Sequence, residues 1–169
     1  MPDRERSRRV EALILRHQRW GEADRILTVF SKENGKLRVI AKGVRKTTSR
    51  KAGHVELFMR SALQLAQGRD FWILTQAEAI NSFLPLRDDL QKMGVASYVI
   101  ELLDKFTYED GPNPQLYKLV VETLERLAAG DSIFIVLRFY EMRLLDLLGY
   151  RPQLRSEEHT SELQSPNTI

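Results

Sequence analysis

The stretch ILTVFSKENGKLRVIAK, residues 26–42, decides the fold of this chain. Two apolar runs, 26–30 and 37–41, flank Asn34-Gly35. Asn-Gly between apolar runs is a strong hairpin signal, because both residues tolerate the positive φ of a tight turn. In the second run, apolar residues at 37, 39 and 41 lie on one side, while Arg38 and Lys42 lie on the other. The stretch therefore predicts a β-hairpin with one buried face and one face that presents cations.

Three further strand-like runs, 10–16, 57–66 and 71–79, lie in the first half of the chain. A turn around Trp20-Gly21-Glu22 follows the first run, and a second hairpin is predicted around residues 67–70. Five short strands in about 75 residues is the number found in a small Greek-key barrel such as the oligonucleotide-binding (OB) fold. SH3-like barrels and open sheets fit the strand count almost as well.

From residue 86 onward the apolar residues recur with the period of α-helices. One stripe is formed by Val95, Val99, Leu102, Leu103 and Phe106. The next helix has Asn113 as its N-cap, Pro114 at its first position and Gly130 just past its end; its core face is predicted to be Leu116, Leu119, Val120, Leu124 and Leu127. A third helix begins near Asp131 or Ser132, carries Val136, Leu137, Tyr140, Leu144, Leu147 and Leu148, and stops at Gly149. We therefore predict an α+β fold, with a five-stranded OB-fold barrel in residues 1–85 and a small all-helical domain in residues 86–154.

Charge divides the chain at the same place. Lys+Arg 26 against Asp+Glu 23 gives a net +3. Residues 1–85, however, hold 17 basic and 9 acidic residues, whereas residues 86–169 hold 9 and 14. The chain has no cysteine, which excludes disulfides and a thiolate nucleophile. Neither a membrane-spanning run nor a secretion signal is present, so a cytoplasmic location and no membrane partner are expected.

The basic residues concentrate in one segment, 36–51, that contains no acidic residue. Its seven cations are Lys36, Arg38, Lys42, Arg45, Lys46, Arg50 and Lys51. A dense positive patch attracts phosphates and releases their condensed counterions on binding. The alternative is a solvated loop that only keeps the protein soluble.

The last fifteen residues, RSEEHTSELQSPNTI at 155–169, lack a usable apolar period and are predicted to be disordered. Residues 155–165 resemble the translation of a sequencing-library adapter. We therefore interpret 155–169 as an artefact, with the natural sequence continuing differently beyond Leu154.

Several ordered motifs together resemble the bacterial DNA repair and recombination mediator family RecO. They are Gly21-Glu22-Ala23-Asp24-Arg25-Ile26, Asn34-Gly35-Lys36, Ala41-Lys42-Gly43-Val44-Arg45-Lys46, Ser49-Arg50 and Leu74-Thr75-Gln76-Ala77-Glu78. The resemblance covers residues 10–154 and implies an OB barrel followed by a helical domain. It also implies a non-enzymatic role in the RecF pathway of homologous recombination, associated with the nucleoid. The expected activities are binding of single- and double-stranded DNA without sequence preference, annealing of strands, and help in loading recombinase.

The expected DNA-binding residues are Arg25, Arg38, Lys42, Arg45, Lys46, Arg50 and Lys51, with Trp20 as a candidate for base stacking. The aromatic residues Phe30, Phe58, Phe71 and Trp72 are instead expected in the barrel core. A hypothesis of another class is an interaction adaptor whose barrel binds protein. A third, a nuclease, lacks a carboxylate cluster, and the isolated His17 and His54 predict no metal site.

The resemblance implies further partners for the acidic helical half. These are the carboxy-terminal tail of single-strand DNA-binding protein, the mediator RecR and, indirectly, the recombinase RecA. An acidic tail with an apolar end needs a groove with one or two cations, for which Arg138 and Arg143 are the candidates. No cofactor is expected here, because the zinc-binding segment of some family members would lie beyond this chain. A missing segment would also leave Leu144, Leu147 and Leu148 partly exposed.

Overall fold

The computed structural model describes residues 6–150, so the interpretation of 155–169 lies outside the described residues. The strands are β1 (Ser7–Trp20), β2 (Asp24–Ser31), β3 (Gly35–Ala41), β4 (Arg60–Gln67) and β5 (Trp72–Asn81). The helices are α1 (Leu84–Arg87), α2 (Leu90–Phe106), α3 (Pro114–Ala128) and α4 (Ile133–Leu147), and a single 3-10 turn (Ala52–His54) interrupts the loop between β3 and β4.

The five strands form a closed barrel in the order β1-β2-β3-β5-β4. All neighbours are antiparallel except β3 and β5, which pair in parallel through Val39–Trp72 and Ile40–Ile73. The long β1 closes the barrel, because its first half pairs with β4 and its second half with β2. The register of the β1–β2 pairing shifts between Ile14 and Arg16. This topology confirms the OB-type barrel and rules out the open sheet and the SH3-like barrel.

The β2–β3 hairpin is confirmed, but its turn differs from the expected one. Residues 32–34 form the turn, and Ser31 pairs with Gly35 in the ladder. Only Gly35 adopts a positive φ, 72°, while Asn34 does not. The Ser31 hydroxyl accepts a hydrogen bond from the Asn34 N–H at 3.0 Å and donates one to the Gly35 carbonyl at 2.9 Å. The side chain of Ser31 therefore stabilises a turn one residue longer than the tightest hairpin.

The predicted start of the fourth strand, Leu57, is wrong, since β4 begins at Arg60. Phe58 has φ 49°, a left-handed conformation that interrupts an extended strand. Its N–H donates to the Ile14 carbonyl at 2.8 Å, and its side chain is buried. Burial of the aromatic ring and this hydrogen bond offset the backbone strain, which is about 1–3 kcal/mol for such a residue.

The barrel interior is filled by aliphatic side chains from every strand. The fully buried ones include Val10, Ala12 and Ile14 from β1, Leu27 and Val29 from β2, Val39 and Ala41 from β3, Leu63 and Leu65 from β4, and Leu74 from β5. The alternation predicted for residues 37–41 is correct in its main feature, with Val39 and Ala41 buried and Arg38 exposed.

A second core lies between the outside of the barrel and the helices. Leu13, Leu15, Phe30 and Phe58 pack there against α2, α3 and α4. The expectation that the four aromatic residues fill the barrel is therefore wrong. Phe30 and Phe58 belong to this second core, and Phe71 and Trp72 are only partly buried. Because the outside of the barrel is itself apolar here, the helices are needed to cover it.

Helix starts follow the capping residues. The Asp89 carboxylate accepts hydrogen bonds from the N–H groups of Gln91 and Lys92, and the Asn113 side chain accepts one from the Leu116 N–H.

The predicted core face of α3 is confirmed in full. Two expectations are wrong. Phe106 lies outside the core and is exposed, because the buried stripe of α2 runs through Ala96 and Ile100. Of the three leucines expected to be partly exposed, Leu147 and Leu148 are, whereas Leu144 is buried.

A polar cluster also joins the two halves. The Glu11 carboxylate on β1 accepts a hydrogen bond from the Arg60 guanidinium at 2.7 Å and another from the Tyr117 hydroxyl of α3 at 2.9 Å. Burial alone raises the pKa of Glu11. The hydrogen bonds from Arg60 and Tyr117, together with the charge of Arg60, outweigh burial and lower that pKa below its usual value.

Candidate nucleic-acid interface

The structure separates the basic segment into cations that brace the fold and cations that face solvent. Arg45 is a brace. Its guanidinium donates to the carbonyl oxygens of Asp24 at 3.1 Å and Gly21 at 2.6 Å, and its N–H donates to the Ala23 carbonyl at 2.9 Å. The Asp24 carboxylate in turn accepts from the Gly43 N–H at 2.7 Å. These bonds hold the β3–β4 loop against the turn between β1 and β2.

The cations on either side of Arg45 are free. Lys42 and Lys46 are both exposed, and neither forms an ion pair with any residue in the range 6–150. Trp20 ends β1 beside the same turn and leaves 48% of its surface exposed. An exposed indole at this turn and two exposed lysines on the loop braced against it supply what single-strand binding uses, a stacking surface and phosphate contacts. We call Trp20, Lys42, Arg45 and Lys46 the turn-side cluster.

Arg25 is close to this cluster but partly buried. It pairs with Arg19 and Ala41 in the strand ladders, and its Nε is buried with no hydrogen-bond partner among the described residues. Burial lowers the pKa of His17, and the nearby charge of Arg25 lowers it further. Because Arg25 is partly buried, it offers a ligand less direct contact than the exposed lysines of the cluster.

The outer surface of β2 and β3, which OB folds use for oligonucleotides, is largely neutralised by the helical half. Arg16 lies 3.4 Å from the Asp104 carboxylate, and Arg38 lies 3.0 Å from that of Glu109. Arg38 also stacks on the Phe71 ring at 5.0 Å. Its ion pair is exposed on both sides, and any phosphate that approaches Arg38 also approaches the Glu109 carboxylate. The DNA contact expected of Arg38 therefore competes with an acidic residue of the chain itself.

Lys36 is not available to a ligand. Its ammonium donates to the main-chain carbonyls of Asp104 at 2.7 Å and Thr107 at 3.2 Å, and it lies 2.6 Å from the Asp104 carboxylate. Its side chain is 11% exposed. The positive charge thus sits on the carbonyl end of α2, where the helix dipole favours a cation. Lys36 is a structural link between the hairpin and the helices.

The last two cations of the segment line a groove that the sequence reasoning did not anticipate. Arg50 and Lys51 lie on one side and Arg9 of β1 on the other, above a floor of β4 and β5. The groove has a volume of about 570 Å³. The Lys51 ammonium donates to the Leu74 carbonyl at 3.3 Å, which fixes the loop on β5. Arg9 was missed because only the β1–β4 register, in which it pairs with Gln64, brings it here.

The candidate partner residues of the helical half lie on α4. Arg138 forms an ion pair with Glu141 at 2.7 Å, and Arg143 forms one with Asp146 at 2.8 Å. Arg138 also lies over the Phe134 ring at 5.5 Å. The outer surface of α4 is apolar around them, with exposed Phe134, Ile135, Phe139 and Met142. The structure thus places both arginines beside apolar surface, each already paired on its own helix.

The described residues contain neither a cluster of metal ligands nor a membrane-spanning helix. Within residues 6–150, no three side chains of the metal-binding types lie close enough together to hold an ion. His54 has a structural contact, since its Nδ1 accepts a hydrogen bond from the Ala79 N–H at 3.0 Å. None of the helices between residues 84 and 147 has the length and apolar character needed to cross a bilayer.

Comparison with known proteins matches both halves of the chain. The family model described as recombination protein O N terminal matches residues 6–83, and that described as recombination protein O C terminal matches residues 87–169. A protein of Roseiflexus sp. (strain RS-1) named DNA repair protein RecO is 46% identical over 151 residues, which are 89% of this chain and 53% of that protein.

Two more relatives carry the same name. The protein of Pelotomaculum thermopropionicum is 40% identical over 151 residues, covering 89% of this chain and 59% of the relative. That of Dehalococcoides mccartyi (strain ATCC BAA-2100 / JCM 16839 / KCTC 5957 / BAV1) is 40% identical over 147 residues, covering 87% and 58%. The chain therefore spans between half and three-fifths of the length of these curated relatives.

Proposed function

The chain belongs to the recombination protein O family, and on that premise we propose that it binds DNA without sequence preference during repair and homologous recombination. The observation that carries the proposal is the turn-side cluster. Trp20 at the β1–β2 turn and Lys42 and Lys46 on the β3–β4 loop are all exposed, and Arg45 holds that loop against that turn. Phosphate contacts by lysines carry no sequence information, so both single strands and duplexes are expected to bind.

The activity proposed is binding rather than bond-making. Stacking and phosphate contact require no proton transfer, and the described residues contain no cluster suited to holding a catalytic metal. We propose that the bound strands are annealed and made accessible to a recombinase in the RecF pathway, in the cytoplasm and at the nucleoid. RecA is the recombinase expected at the end of that pathway.

Partner binding is proposed for the helical half. The outer surface of α4 combines exposed apolar side chains with the two arginines Arg138 and Arg143. This combination suits an acidic protein tail that ends in apolar residues. The tail of single-strand DNA-binding protein has that chemistry, and RecR is the second partner that the family implies. Each arginine must exchange a carboxylate of its own helix for one of the tail, which exposed ion pairs allow.

The proposal is tested by fluorescence anisotropy of the chain with labelled single-stranded and duplex DNA across a salt series. The double variant K42A/K46A should weaken binding and reduce the salt slope by about 1.4 on single strands, at roughly 0.7 per lost phosphate contact. Arg45 is left intact because its hydrogen bonds support the loop. The matched control is Lys118→Ala, which removes an exposed lysine from α3 and should leave the slope unchanged.

The same titration separates the proposal from the adaptor hypothesis. A labelled peptide with the acidic, apolar-ended tail should bind independently of Lys42 and Lys46. If the peptide binds while the folded chain shows no DNA binding even at low salt, the barrel is not a DNA-binding module. An unchanged slope in K42A/K46A would remove these two lysines from the interface.

A further inference from the structure

We propose that a single nucleic-acid strand passes from Trp20 along the β3–β4 loop into the groove on β4 and β5, with Arg9 as its far phosphate contact. This rests on the proposed function and specifies its path. The path leaves out the outer surface of β2 and β3, the surface that OB folds use for oligonucleotides. The ligand at its far end is the phosphodiester backbone of one strand.

The β2–β3 surface is unsuitable for a DNA strand, because carboxylates of the chain itself form ion pairs with the cations of this surface. Asp104 pairs with Arg16 and Lys36, and Glu109 pairs with Arg38. The hollow there is bordered by Thr107, Tyr108 and Glu109 of the α2–α3 connection. A phosphate entering it must displace carboxylates and approach Glu109, whereas a phosphate on the loop meets lysines and arginines that are unpaired within residues 6–150.

The loop supplies a continuous series of such cations. Lys42, Lys46 and Arg50 follow one another at four-residue intervals, which places successive Cα atoms at most about 14 Å apart. All three side chains are exposed. The two ends of the path are set by β1, because Trp20 ends that strand and Arg9 lies near its start. The eleven steps along the strand from Arg9 to Trp20 span at most about 36 Å, a length suited to the roughly 4–16 nucleotides that one OB barrel binds.

The groove end of the path is preorganised. The Ser49 hydroxyl accepts hydrogen bonds from the N–H groups of Lys51 at 3.2 Å and Ala52 at 3.3 Å, and Lys51 is fixed on the Leu74 carbonyl. His54 holds the same loop on β5 through the Ala79 N–H. The Lys51 side chain and the loop backbone beside Arg50 are therefore positioned before any ligand arrives, which reduces the entropy lost on binding.

The groove floor favours a sugar-phosphate backbone over a protein segment. It consists of Ala62 and Gln64 on β4 and of Thr75, Gln76 and Ala77 on β5. Small and amide-bearing side chains offer hydrogen bonds and close approach but no apolar pocket for an anchoring side chain. One carboxylate, Glu78, also borders the groove. Three cations against one acid leave the groove positive.

The test compares two double variants that remove the same charge from different surfaces. R9A/R50A lies on the proposed path. R16A/K118A lies off it, with Arg16 on the β2–β3 surface and Lys118 on α3. Anisotropy is measured with oligothymidines of about 6 to 20 nucleotides over a salt series, after circular dichroism has shown that each variant is folded. R9A/R50A should reduce the salt slope for the longer strands by about 1.4 and should shorten the strand length at which affinity stops rising. R9K/R50K should retain the slope, and R16A/K118A should match the wild type.

Each other outcome overturns the proposal. If the wild type binds and R9A/R50A binds identically, the path is wrong while the proposed function stands. If R16A/K118A loses the slope instead, the strand lies on the β2–β3 surface. If R9A/R50A loses only binding of polyglutamate, the groove receives acidic protein. If the folded wild type binds no oligothymidine at low salt, the proposed function fails together with the path.

Discussion

The contact between Gly35 and the α2–α3 connection gives the sharpest prediction for stability. Gly35 opens β3 with φ 72°, and a Cβ added there would lie 2.0 Å from the Gly111 carbonyl oxygen and 2.7 Å from its carbonyl carbon. Both neighbours are main-chain atoms, so no side-chain rotation relieves the overlap. The substitution Gly35→Ala is therefore expected to separate the hairpin from the helical half.

The loss in free energy of unfolding expected for Gly35→Ala has two parts. A left-handed conformation costs an alanine about 1–2 kcal/mol, and forcing an extra group into a packed site costs about 1–3 kcal/mol. Gly35→Ala should therefore lower the free energy of unfolding by about 2–5 kcal/mol. Gly21→Ala is the matched control, because Gly21 has φ 57° but no atom within 4 Å of an added Cβ. It should show only the conformational part, about 1–2 kcal/mol.

The assay is urea unfolding followed by circular dichroism and by tryptophan fluorescence, to which Trp20 and Trp72 of the barrel contribute. Equal midpoint shifts in the two alanine variants would refute the reasoning, because the loss at Gly35 would then come from φ alone. A larger shift in Gly35→Ala with an unchanged m-value assigns the excess to the overlap with Gly111.

Two further substitutions test the links between barrel and helices, again by urea unfolding. Lys36→Met removes the cation from the end of α2 and leaves Asp104 poorly compensated, so it should destabilise by about 3–5 kcal/mol. Lys118→Met, at an exposed ion pair, should change stability little, and a comparable loss in both would contradict the structural role of Lys36. The pKa of Glu11 is lowered in the folded chain. The ionised Glu11 therefore adds to the free energy of unfolding at pH values above its usual pKa of 4.5, and this stabilisation is lost as the pH falls through the lowered pKa. Glu11→Gln should cost about 1–3 kcal/mol near pH 7 and flatten the decline of stability below about pH 4.5, and an unchanged acid profile would show that Glu11 does not carry this dependence.

The sequence predicts secondary structure correctly wherever the interactions that specify it are local. The residues between 26 and 42 specify the hairpin through alternation and a glycine that accepts positive φ. Asp89 and Asn113 specify helix starts through side chains that reach N–H groups two or three residues ahead. The strand start at Arg60 was misplaced because the left-handed conformation of Phe58 depends on a hydrogen bond to distant Ile14.

The sequence predicts the candidate site only in part. Composition identifies a basic segment without acids, and nothing local distinguishes a cation that contacts solvent from one that holds the fold. Lys36 binds carbonyl groups of α2 about 70 residues away in sequence, and Arg45 binds the turn between β1 and β2. Lys42 and Lys46, from the same segment, remain exposed. The difference arises from partners that only folding brings within hydrogen-bond distance.

The sequence by itself determined the barrel, the helices behind it and the sign of the charge on each, because periodicity, turn chemistry and composition act over a few residues. The tertiary structure alone decided which cations are free. It placed Asp104 and Glu109 on the β2–β3 surface and brought Arg9 beside Arg50, since ion pairing and groove formation depend on distances between segments that are far apart along the chain.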